Sequence, residues 1–132
     1  MTRILIPVSI GELIDRLTVL EIKADRIKDP IKLENIRREL SDLRRAYKTS
    51  PCSGVDIDAY RTELKKVNET LWEVEDYLRI KEGEEAFDEQ FIDLARSQYQ
   101  NSDRRSEIKR LIDEAAGSDL TEEKSYPRYS AV

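Results

Sequence analysis

Asn101-Ser102-Asp103-Arg104-Arg105 reads as the cap and first turn of a helix, a place where chemistry with anions is favoured. A helix start offers free backbone amides and the positive end of the helix dipole, and arginines add forked donors suited to phosphate or carboxylate. Arginine in a first turn runs against the usual preference for acids there, a local cost that a bound anion offsets. Lys109 follows one turn later. A second cluster lies near the start of the chain, where Glu12, Asp15, Arg16, Lys23 and Arg26 share the flank of a helix around Val19. Arg16 or Lys23 is expected to complete an anion pocket begun by Asn101, Ser102, Asp103, Arg104, Arg105 and Lys109. Glu12 and Asp15 together form the kind of carboxylate pair that holds Mg²⁺ and activates water. Such a site needs a second pair on a facing helix, for which Glu69, Glu73 and Asp76 are the candidates, although they point away from their own helix's apolar seam.

Composition narrows the chemistry further. The 132 residues contain no histidine and one cysteine, Cys52. Imidazole acid–base catalysis, Ser-His-Asp and Cys-His nucleophiles, mixed Cys/His zinc sites and an intrachain disulfide are therefore excluded. Charged residues make up 39% of the chain and the formal net charge is −5, so the mean field repels nucleic acid and anionic membranes. Arg37, Arg38, Arg44, Arg45 and Lys48 form a basic flank on one helix, but without interleaved aromatics it reads as a pairing surface, and nucleic acid is not expected as a partner. No apolar run approaches the ~18 residues of a membrane span, and the opening lacks the form of a signal peptide. The expected setting is the cytoplasm, with no membrane partner.

The elements that must position these residues are helical. Pro7 keeps Ile4 to Val8 extended. Ser9 and Glu12 then have capping-box spacing, and Leu13, Leu17, Leu20, Ala24 and Ile27 form one stripe of a first helix. Val19 and Ile22 lie off that stripe, so this helix is expected to be contacted on more than one side. Asp29-Pro30 is the cap and first position of a second helix carrying Leu33, Ile36, Leu40, Leu43 and Tyr47. A loop over Ser50–Gly54 leads to the longest helix, from about Asp58 to Glu82 with Gly83 as its stop. Its seam is Tyr60, Leu64, Val67, Leu71, Val74 and Leu78, with Trp72 beside it as a core or interface anchor. A fourth, shorter helix carries Phe87, Phe91, Leu94, Ala95 and Tyr99. A fifth, beginning at Asn101–Asp103, carries Ile108, Leu111, Ile112 and Ala115 and stops at Gly117. The expected fold is a single all-α domain over residues 1–132: an antiparallel bundle of about five helices with coiled-coil-like heptad packing, a short extended N-terminal segment and a polar tail over 118–132. Seams this regular also suggest a homodimer.

The opening from Ile6 through Lys23 resembles a family of small bacterial and phage proteins known as a domain of unknown function. So do Leu71-Trp72-Glu73-Val74-Glu75-Asp76, the stretch from Ala95-Arg96-Ser97 through Asn101-Ser102-Asp103-Arg104-Arg105 to Lys109, and Glu122-Glu123-Lys124-Ser125-Tyr126. The resemblance implies a bacterial or phage intracellular setting and no catalytic role. It overlaps the charged candidates Glu12, Asp15, Arg16, Lys23, Arg104 and Arg105. The leading expectation is a non-catalytic, self-associating helical module that binds a small phosphate-bearing or other anionic ligand without a cofactor. The alternatives are a Mg²⁺-dependent nucleotide pyrophosphohydrolase-like enzyme, with Glu12 and Asp15 as ligands, and a protein-interaction module.

Overall fold

A computed structural model describes residues 2–129 as four helices, with no strand among the described residues. Helix α1 spans Ile10–Arg26, α2 Pro30–Lys48, α3 Asp58–Gly83 and α4 Glu89–Ala116. Local chemistry sets most of the ends. The Ser9 hydroxyl accepts from the Glu12 amide, and Asp29 accepts from Ile31 with Pro30 opening α2. Gly117, at φ 70°, closes α4 in the left-handed conformation that glycine adopts without a Cβ penalty. Glu12 does not complete the capping box; its carboxylate reaches Arg16 and Lys109 instead.

One expectation is corrected. The fourth and fifth helices are a single rod, and α4 runs unbroken through Asn101, Ser102 and Asp103. These residues cost a few tenths of a kcal/mol each inside a helix, too little to break one held by packing at both ends. Asn101 stays in register by donating to the Ser97 carbonyl one turn back, at 2.8 Å. The rod begins instead at Asp88, whose carboxylate accepts from the Phe91 amide. Arg104 and Arg105 therefore have no helix start beside them, and the free amides and positive dipole expected there are absent.

The rods are ordered by what α1 buries. It touches all three other helices, whereas α2 touches only α1. Leu13, Ile14, Leu17 and Leu20 form one side of its burial and Ile22, 2% exposed, another. The two-sided character expected from Val19 and Ile22 is thus a central position in the bundle. Pairings fix the directions: Gly11, Glu12 and Asp15 meet Asp113, Lys109 and Arg105 in turn, so α1 and α4 are antiparallel. Glu63–Arg104, Glu75–Gln98 and Lys81–Gln90 make α3 and α4 antiparallel as well. Leu64, Val67 and Val74 of the α3 seam are buried within the chain itself. At about 1.5 Å per residue α3 and α4 outreach α1 by half or more. Their hairpin therefore projects past the core, with Tyr77, Ile80, Phe87 and Ile92 exposed on it.

Candidate functional site

Gly11 brings the site together. Its amide donates to Asp113 Oδ1 at 2.6 Å, and a Cβ at this position would stand 2.4 Å from the Lys109 carbonyl oxygen. No other residue lets the start of α1 come this close to α4. At the next residue of α1 and one turn back along α4, Lys109 Nζ lies 2.7 Å from Glu12 Oε2. One further turn along, Arg105 forks onto Asp15, with Nε 2.9 Å from Oδ1 and Nη2 on Oδ2. Asp15, Lys109 and Asp113 are only 1%, 7% and 4% exposed. Buried charges need partners: Asp15 and Lys109 each have an opposite charge beside them, and Asp113 accepts from the Gly11 amide.

A third rod completes the arrangement. Asn68 of α3 donates through Nδ2 to Asp15 Oδ1 at 2.9 Å and to Thr18 Oγ1 at 2.8 Å. Thr18 in turn spends its own proton on the Asp15 carbonyl. Asp15 is therefore the junction of α1, α3 and α4. Cys52 donates its thiol to the Ala116 carbonyl and so satisfies an end of α4.

Two cavities meet at this junction. A polar one of about 300 Å³ is walled by Glu12, Lys109 and Ser106, with Glu122, Lys124 and Tyr126 of the tail across it. The other, about 650 Å³, lies between α1, α3 and α4 against Val19, Ile22, Asn68, Leu71 and Trp72. Ser102 and Arg105 belong to the walls of both.

The polar cavity is closed by the tail. From Ser118 the chain turns back along α4 with neither helix nor strand. Glu122 binds Lys109, Glu123 binds Arg110, and the Tyr129 hydroxyl donates to Asp103 at 2.7 Å. Burial would depress the Lys109 ammonium, but Glu12 and Glu122 outweigh it and leave its pKa raised. Burial likewise raises Glu12, and its bonds to Lys109 and Arg16 bring the net shift below the ordinary value. Asp15 raises the pKa of Arg105. Lys109, with help from Lys124, holds Glu122 down to about 2 from an ordinary 4.5. The folded value is the lower one, so the tail contact is complete above the ordinary value and is lost as pH falls towards the folded one. A carboxyl-carbon NMR titration of Glu122 is expected to give a midpoint near 2. A midpoint at the ordinary carboxyl value would mean that the tail does not rest on Lys109.

Of the expected anion-site residues, the structure brings Ser102, Arg105 and Lys109 to the cavity walls. Asn101 is turned to Ser97, Asp103 to Tyr129, and Arg104 to Glu63 and Glu107. Arg16 pairs with Glu12 on the outer surface, and neither it nor Lys23 lines either of the two cavities. The proposed metal pair, Glu12 and Asp15, faces Lys109 and Arg105, whose cationic groups stand where a metal ion would. Among the described residues no three acidic or cysteine side chains gather as a metal-ligand group, and Glu73 is turned to Arg26. Sequence reasoning missed Gly11, Thr18, Asn68, Asp113 and Glu122 as members. Asp113 was legible only as an acid one turn beyond Lys109; nothing near Asn68 marked it. The basic flank of α2 pairs in part with acids, Arg38 with Glu34, Arg44 with Glu21 and Arg45 with Asp42. Among the described residues no helix is long and apolar enough to cross a membrane.

A family model, described as a family of unknown function (DUF6165), matches residues 4–131. No curated protein and no solved structure matches the chain.

Proposed function

The chain belongs to this family of unknown function, and from its own geometry we propose that it is a non-catalytic binding module for a small anionic ligand, seated at Lys109. One observation carries the reading. Lys109 is a buried cation in the wall of a polar cavity, and one of its two partners is a carboxylate on the exposed tail. Glu122 thus occupies, from within the chain, the place an external anion would take. A phosphate or carboxylate can exchange for it without leaving the ammonium unpaired, which is the costly state in a buried site. Arg105 supplies a second cation on the same wall, and Ser102 and Ser106 supply hydroxyls. The reading requires no cofactor and no second copy of the chain.

Competition by Glu122 gives the test. With Glu122→Gln the internal competitor loses its charge, and inorganic phosphate measured by calorimetry is expected to bind about tenfold more tightly, the equivalent of one charged hydrogen bond relieved. Lys109→Gln, checked for folding by circular dichroism, is expected to abolish binding. Phosphate affinity indifferent to both changes would overturn the reading.

A further inference from the structure

The larger cavity contains an atom whose orientation is settled by elimination. The Asp15 carboxylate can only accept hydrogen bonds, and Thr18 Oγ1, having donated to the Asp15 carbonyl, must accept as well. Both partners of Asn68 therefore demand its two N–H groups, and the amide cannot be flipped. Its Oδ1 is left over. Asn68 is 5% exposed, lies in the wall of the 650 Å³ cavity, and accepts no hydrogen bond through Oδ1 among the described residues. The oxygen is not sealed from solvent, and on an amide pinned between α3 and α1 at the wall of a cavity it is available to an incoming N–H donor.

Its surroundings specify what carries that donor. Arg105, on the same wall, spends Nε and Nη2 on Asp15, which leaves Nη1 free to donate. A free acceptor and a free donor on one wall match an edge that places an N–H beside an acceptor. Of the rest of the wall, Val19, Ile22, Leu71 and Trp72 offer apolar surface and an indole for a flat ring, and Glu75, Asp76, Arg79 and Gln98 make the other part polar. The volume lies within the range of small-molecule sites. Through Ser102 and Arg105 this space adjoins the cavity of Lys109.

We propose that the cleft between α1, α3 and α4 is a nucleobase site: Asn68 Oδ1 accepts from an N–H on the base edge, Arg105 donates to the acceptor beside it, and Trp72 covers the ring. This rests on the anion reading above and gives it a substrate class, a nucleoside monophosphate with its phosphate at Lys109. Asn68 is then the specificity-determining residue.

Because Asn68 also holds the core, the decisive variant is made in the ligand. Calorimetry on the unaltered protein compares inorganic phosphate with the uridine, guanosine, adenosine and cytidine 5′-monophosphates. The preferred nucleotide is then replaced by its methylated form that lacks the edge N–H: 3-methyluridine, 1-methylguanosine, N6,N6-dimethyladenosine or N4,N4-dimethylcytidine. The expected results are at least one nucleotide binding more tightly than phosphate, and a loss of about 10- to 100-fold on methylation. Trp72→Leu is expected to weaken the nucleotide while leaving phosphate affinity unchanged. Nucleotides no tighter than phosphate, or binding indifferent to methylation, would overturn the base site and leave the anion site standing. If neither phosphate nor nucleotide binding responds to Glu122→Gln and Lys109→Gln, the anion reading fails first and this inference with it.

Discussion

Arg105→Ala is expected to cost about 3–5 kcal/mol of folding stability, and Arg104→Ala less than about 1 kcal/mol. The two arginines are neighbours in sequence with equally exposed side chains, 38% each. The difference lies in the partner. Arg104 faces Glu63 and Glu107, whose side chains are 42% and 62% exposed and which water can solvate once the arginine is gone. Arg105 faces Asp15, whose side chain is 2% exposed. Its removal strands a carboxylate among three helices, and only the neutral Asn68 amide remains bonded to it. Urea unfolding measures both variants. Adding Asp15→Asn to Arg105→Ala removes the stranded charge and is expected to restore part of the loss, the coupling that a double-mutant cycle reports. Two arginine variants of equal stability would mean that the buried pair is not what joins α1 to α4.

Gly11→Ala is expected to be as severe. The added methyl would lie 2.4 Å from the Lys109 carbonyl oxygen and 2.9 Å from Asp113 Oδ1. The first of these is backbone inside a helix and cannot swing aside, so α1 and α4 must separate. Overpacking of this kind costs about 1–3 kcal/mol, and loss of the bond from the Gly11 amide to a buried carboxylate adds about 1.5–3 kcal/mol. The sum, about 2.5–6 kcal/mol, corresponds to roughly 10–25 °C in Tm for a chain of this size. Separation of the rods would also part Glu12 from Lys109 and disrupt the wall of the polar cavity. Gly83→Ala is the control. It lies at the end of α3 with nothing within 4 Å of a Cβ and is expected to be neutral or stabilising by up to about 1 kcal/mol. A thermal melt of Gly11→Ala that matches this control would show that the close approach is not needed.

The sequence by itself determined what is local. Helix-forming stripes, the Ser9 and Asp29 caps and the Gly117 stop act over one or two turns, and the structure has them in place. It marked Glu12, Asp15, Arg105 and Lys109 as charges of interest, and Val19 and Ile22 as a second face on α1. It misplaced a helix start at Asn101–Asp103, because a capping pattern states only that a helix can begin there. Whether it does depends on packing on either side, and Ile108 and Ile112 hold one end of α4 in the core. Tertiary structure alone decided which charges meet. Asp15 and Arg105 are 90 residues apart in the chain, Glu12 and Lys109 97, and Gly11 and Asp113 102. No periodicity within one rod encodes the rotation and offset at which it lies against another. Those are set by the bulk of the side chains between them, and at this junction by the one position with none.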